Sequence, residues 1–191
     1  MKLSQAKTLG GVGAILSLVG GFIPYAGGIA AIVGVVLLLI AVKYISEETK
    51  DRSIFTNYLA AFVIGIVAII VAIAAFIAFI GVDVLFHFAR IKEIESLMSL
   101  KHLIIGLLMA LLVFWILYLI AAIFLKKSYY KIAEYTGVGL FHTTGLLYLI
   151  GAATLIVVIG FFILFIAKII EIIAYFSLPE TIQKEEEQEA I

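Results

Sequence analysis

Three observations predict an all-α, polytopic integral membrane bundle. Hydrophobic residues make up 65% of the 191-residue chain, which leaves too little polar surface to coat a water-soluble globule. Four apolar stretches, 9–45, 57–82, 103–125 and 140–176, are joined by shorter charged segments. The first and last are each too long for a single crossing. An upright helix over 9–45 would run about 55 Å, against a hydrocarbon core of about 30 Å. Each must therefore turn back on itself, the first at Pro24-Tyr25-Ala26-Gly27-Gly28 and the last around Val157 to Gly160.

Six helices paired as three hairpins result, at about residues 8–22, 27–45, 57–82, 102–126, 138–156 and 160–177. The first spans only about 22 Å, so re-entrant terminal hairpins, with four long spans, are the competing layout. Residues 1–178 form one transmembrane domain, and 179–191 form an acidic tail expected in the cytoplasm. Lys2 and Lys7 ahead of an apolar run resemble a secretory signal. Cleavage after Ala26 would put Pro24 at the minus-three position, and apolar sequence resumes at once, so the segment is expected to remain as a helix.

Charge asymmetry selects the hairpin layout independently. With both terminal stretches folded back, Lys2, Lys7, Lys43, Lys50, Arg52, Lys126, Lys127, Lys131 and Lys184 share one face, and only Arg90, Lys92 and Lys101 take the other. That bias places both termini in the cytoplasm and the bundle in the cell membrane. If each terminal stretch crossed once, the same residues would divide evenly. The hairpins also open on related strings, Ser17-Leu-Val-Gly20, Phe62-Val-Ile-Gly65 and Tyr148-Leu-Ile-Gly151, which suits an origin by repetition.

Small residues at four-residue spacing mark where helix backbones can approach: Gly13, Ser17 and Gly21 in the first helix, Ala30/Gly34, Ala61/Gly65, and Gly106 with Ala110. The connecting segments, 47–56 and 126–138, are charged and aromatic. Tyr44, Tyr58, Tyr129, Tyr130, Tyr135 and Tyr175 are expected as anchors at the inner headgroup level.

Ionisable residues at membrane depth are the candidates for function. Lys168 and Glu171 stand at i,i+3 on the last helix, so they can meet on one face and neutralise each other. Lys168 lies about 13 Å from Ser177, near the midplane. His142, with Thr143 and Thr144, sits at the mouth of the fifth helix and could line the same cavity. Asp83 and His87 at i,i+4, with Glu93, Glu95 and His102 nearby, are weak metal candidates, because two ligands at that spacing also suit an amphipathic surface helix. No P-loop, nucleophile elbow, dinucleotide fingerprint or thiolate cluster is present, so neither enzymatic activity nor a cofactor is expected. The chain has no cysteine, and its net charge of zero gives no reason to expect nucleic acid.

Leu9-Gly-Gly-Val-Gly13, Gly20-Gly21, Pro24-Tyr-Ala-Gly-Gly28, Ser53-Ile-Phe55, Phe141 through Gly151 and Ala174-Tyr-Phe-Ser177 together resemble the prokaryotic, mostly archaeal, membrane-protein family known as domain of unknown function 996. The resemblance implies an integral membrane protein without an assigned activity, and it carries over no catalytic residue. Two functions are then expected in order. The first is a structural or assembly component, or a non-catalytic subunit, of a membrane complex. The second is a small transporter or channel using Lys168 and Glu171. The partners that fit are lipid, a second copy of the chain or another membrane protein.

Overall fold

The computed structural model describes residues 2–80 and 97–180. Within them the chain forms α1 (Lys2–Val19), α2 (Gly27–Glu48), α3 (Arg52–Ile80), α4 (Leu97–Thr136), α5 (Gly139–Thr154) and α6 (Ile159–Phe176). Single 3-10 turns at Gly20–Phe22 and Leu155–Val157 lead into the two terminal hairpin bends. There is no strand among the described residues. Each helix packs on its neighbours in chain order, and α1 packs on α6, so the six close into an up-and-down ring. The fold is thus an all-α polytopic membrane bundle built from antiparallel hairpins. Gly27–Glu48, Arg52–Ala78, Ile104–Thr136, Gly139–Val157 and Ile159–Phe176 are long and apolar enough to cross a bilayer. The shorter α1 begins with Lys2, Gln5 and Lys7 among its first residues.

The bends fall where the sequence breaks. Pro24 lacks an N–H and Tyr25 takes φ 63°, which halts α1 before Gly27 opens α2. Val158, at φ 67°, turns the chain from α5 into α6, an unusual backbone for a β-branched residue. The segment expected as a loop at 126–138 is instead helical through Thr136, and only Gly137 and Val138 connect α4 to α5. Lys126, Lys127 and Lys131 end the apolar character of the span, but they are good helix formers and do not end the helix. Gly137 does so, at φ 70°, with its N–H donating to the Ala133 carbonyl at 2.9 Å. Likewise α3 starts ahead of the expected 57, at Arg52, where the Asp51 carboxylate caps it.

The start of α1 and the residues that follow α6 lie at one end of the ring. Lys7 Nζ donates to the Leu178 carbonyl at 3.3 Å, and Lys2 pairs with Glu47 at 2.8 Å. The α2–α3 bend is fastened there as well. Asp51 Oδ1 accepts from the Ser53 N–H at 2.8 Å and from its hydroxyl at 2.6 Å, forming the cap of α3. Asp51 Oδ2 accepts from Lys131 Nζ at 2.8 Å, and Ser128 Oγ donates to the Ile54 carbonyl at 2.8 Å. Large buried side chains concentrate in this half: Leu3, Ile45, Ile54, Tyr129, Phe141 and Tyr175. The opposite half buries mostly small residues, Ala68, Ala110, Ala152 and Ala167, and its bends expose Phe22, Tyr25, Ile156 to Ile159, Phe161 and Phe162.

Backbone contact between helices replaces the hydrophobic drive that lipid removes. A Cβ on Gly13 would stand 2.7 Å from the Gly34 carbonyl oxygen, and one on Gly34 would stand 2.5 Å from the Ser17 nitrogen. The α1–α2 seam therefore runs through Gly13, Ser17 and Gly20. Gly21, grouped with them by spacing, faces open space, because the 3-10 turn that starts at Gly20 rotates it off the seam. At the ring closure Gly10 and Gly11 lie against the rings of Tyr175 and Phe176. Gly106 and Ala110 are buried on α4.

Gly34→Ala is expected to cost about 1–3 kcal/mol through overpacking of this seam. Gly28→Ala, whose Cβ would meet nothing, is the matched control, and thermal unfolding of both in micelles gives the comparison. The Asp51 carboxyl is held below its ordinary value of 3.8, at about 2, chiefly by the Lys131 ammonium and then by Ser53. Its contribution is full above about pH 4 and is lost as pH falls through about 2, since only the unfolded state then gains protons first. With Lys131 half open to solvent the amount is on the order of 1 kcal/mol. A melting series from pH 6 to 2 is expected to fall more steeply for the wild type than for Asp51→Asn.

Candidate functional site

Charge in the interior of the ring is concentrated on α6. Its repeat of aliphatic residues leaves Lys168 and Glu171 one turn apart on the inward face, and Glu171 is 1% exposed. Lys168 Nζ lies 2.7 Å from Glu171 Oε2. The same oxygen accepts from the Tyr148 hydroxyl on α5 at 2.6 Å, and Oε1 accepts from the Tyr129 hydroxyl on α4 at 2.6 Å. Three charge-assisted bonds from three helices therefore meet on one carboxylate, which is how a charge can be held in so apolar a setting.

Aromatic rings extend the network. The Tyr129 ring contacts Tyr58 of α3 at 6.0 Å, Phe141 at 5.8 Å and Tyr148 at 6.2 Å between centroids. Phe141 stands edge-on to Tyr175 at 5.1 Å. The Tyr175 hydroxyl is the one buried side-chain polar atom without a hydrogen-bond partner among the described residues.

A cavity of about 300 Å³ opens beside this cluster. Val35 and Leu38 wall it from α2, and Tyr58, Ala61, Phe62 and Gly65 from α3. Tyr118, Ala121, Ala122, Leu125 and Tyr129 come from α4, Tyr148 from α5, and Lys168 with Glu171 from α6. The volume is at the lower end of the range for ligand pockets, about 300–1,000 Å³, and an apolar lining with a few convergent polar groups is their usual composition. Glu171 is withdrawn behind its donors, whereas the Lys168 side chain keeps 18% of its surface open.

The other sequence candidates lie elsewhere. His142 is exposed at the terminus-bearing end, stacked on Tyr130 at 3.9 Å, while Lys126 Nζ sits 4.8 Å from the centre of that ring. It does not line the cavity, because its position on α5 faces away from α6. Asp83, His87, Glu93 and Glu95, the proposed surface helix and the tail beyond Glu180 lie outside the described residues, as does the side chain of His102. No cluster of three His, Cys, Asp or Glu able to hold a metal occurs among the described residues. Tyr58, Tyr129 and Tyr175, expected as headgroup anchors, are instead buried in the core. Tyr118 and Tyr148 were the readable signal that the sequence offered, being phenols deep inside predicted spans.

A ring of six antiparallel helices around an ion pair and an aromatic cavity defines a class, the small polytopic helical membrane protein with a polar interior. Residues 30–169 match the family described as protein of unknown function (DUF996), and the chain belongs to that family. It is also 40% identical over 189 residues to an uncharacterized protein of Methanocaldococcus jannaschii, covering 97% of this chain and 98% of that one. No solved structure matches it.

A mutant cycle probes the cluster. Lys168→Leu is expected to cost about 3–5 kcal/mol by leaving the buried carboxylate without its cation. Tyr148→Phe is expected to cost about 1–3 kcal/mol. Lys168→Leu combined with Glu171→Leu should be less destabilising than Lys168→Leu alone, as measured by denaturant unfolding in micelles.

Proposed function

We propose that this protein binds and moves a small solute through the cavity beside Lys168 and Glu171, as a small transporter or channel of the cell membrane with both termini in the cytoplasm. One observation carries the reading: an intramembrane lysine partly open to a cavity of about 300 Å³ whose walls come from five helices. Ionisable groups at membrane depth usually mark solute or ion pathways, because their desolvation has to be offset. The orientation follows from the concentration of Lys2, Lys7, Lys43, Lys50, Arg52, Lys126, Lys127 and Lys131 toward the terminus-bearing end.

The completeness of the Glu171 bonds favours a second reading, a structural or assembly component in which the pair only locks α4, α5 and α6 together. Reconstitution separates the two. Proteoliposomes offered a panel of small organic anions, cations and zwitterions are expected to take up at least one, and Ala121→Trp, which fills the cavity, should abolish that uptake. Lys168→Leu with Glu171→Leu should also abolish it while the protein stays folded. If no solute is moved and the double change alters only thermal stability, the structural reading stands and the transport reading is lost.

A further inference from the structure

We infer that the cavity takes a small amphiphilic acid, with an anionic head on Lys168 and an apolar or aromatic body along α3 and α4; this rests on the cavity reading above and deepens it. Few polar groups on the wall still have hydrogen bonds to give. Both oxygens of Glu171 are occupied, by Tyr129 on one side and by Tyr148 and Lys168 on the other. The Tyr129 and Tyr148 protons are spent on that carboxylate. An ammonium carries three donors, and Glu171 takes one from Lys168. The Tyr118 hydroxyl, on the same wall, makes no hydrogen bond to another described residue, while its ring stacks on Phe114 at 5.6 Å.

Tyr118 can give or take a hydrogen bond, but the charged group with bonds to spare is Lys168, whereas Glu171, 1% exposed, is closed off behind its own donors and out of reach of a cation. A ligand that brings acceptors, above all a carboxylate, satisfies Lys168 and Tyr118 together through charge-assisted bonds. A ligand that brings an ammonium meets the like charge of Lys168 and finds no more than phenol oxygens to accept from it. Apart from Tyr58, itself buried, the rest of the wall, Leu38, Ala61, Phe62, Ala122 and Leu125 among it, offers no polar side chain, so the body of the ligand has to be apolar.

Three probes with one body and different heads test this: 4-phenylbutanoate, 4-phenylbutanol and 4-phenylbutylammonium. Binding to the full-length protein in lipid nanodiscs is measured by calorimetry, with empty nanodiscs subtracted. The acid is expected to bind at least about tenfold more tightly than the alcohol, and the amine more weakly than either. Lys168→Met alone would strand the Glu171 charge, so the informative variant is Lys168→Met with Glu171→Gln, whose amide oxygen accepts from one tyrosine while its NH2 donates to the hydroxyl oxygen of the other. It should bind acid and alcohol equally. If the probes bind, and Ala121→Trp blocks them, but the acid has no advantage or the amine wins, the anionic assignment is overturned while the cavity reading survives. If no probe binds, or Ala121→Trp leaves binding unchanged, the cavity reading itself falls and this inference with it.

Discussion

A carboxylate in the interior of a membrane bundle is stable only if the protein rebuilds its hydration shell, and Glu171 is where this structure does so. Lys168 supplies the opposite charge from the same helix, while Tyr129 and Tyr148 supply donors from α4 and α5. Because the three helices must hold these atoms within hydrogen-bond distance at once, the cluster sets their rotation and depth relative to one another. The rest of the ring is arranged around that constraint. Tyr58 brings α3 against Tyr129, and Phe141 carries the packing on to Tyr175 and the α1 glycines.

The two halves of the bundle are held by different forces. At the terminus-bearing end, capped and paired polar groups enclose a core of large side chains, with Asp51 tying the α2–α3 bend to α4. Toward the far end the buried residues are mostly Gly and Ala, and the bends present Phe22, Ile156 and Phe162 outward. Small residues gain stability through close backbone approach, and exposed apolar side chains cost nothing where the surroundings are lipid tails. Such a division lets the polar network and the cavity sit on the better-packed half while the other half relies on lipid.

The Lys168–Glu171 contact was legible because i,i+3 residues of a helix meet whatever the rest of the fold does. The Gly13–Gly34 seam was partly legible, since small residues four apart mark a flat face; that Gly21 leaves the seam depends on a 3-10 turn that spacing does not reveal. The tyrosines were misplaced for a physical reason. Hydropathy ranks Tyr58, Tyr129 and Tyr175 as interfacial, and only the presence of a buried carboxylate and aromatic neighbours makes the interior a better place for their rings. His142 shows the converse, a polar residue near the span that the helix rotation carries outward onto Tyr130.

Membrane residence, the six helices among the described residues and the sites of the two terminal bends were determined by the sequence alone. They follow from local quantities, the run of apolar side chains against the thickness of hydrocarbon and the inability of Pro24 to continue a helix. Tertiary structure alone decided how the three hairpins stand against one another, that α1 closes the ring on α6, and that tyrosines far apart in the chain converge beside Lys168 and Glu171. Those outcomes depend on how each helix is rotated about its own axis. In a chain this uniformly apolar the hydrophobic pattern says little about rotation, so the few polar atoms that must find partners decide it.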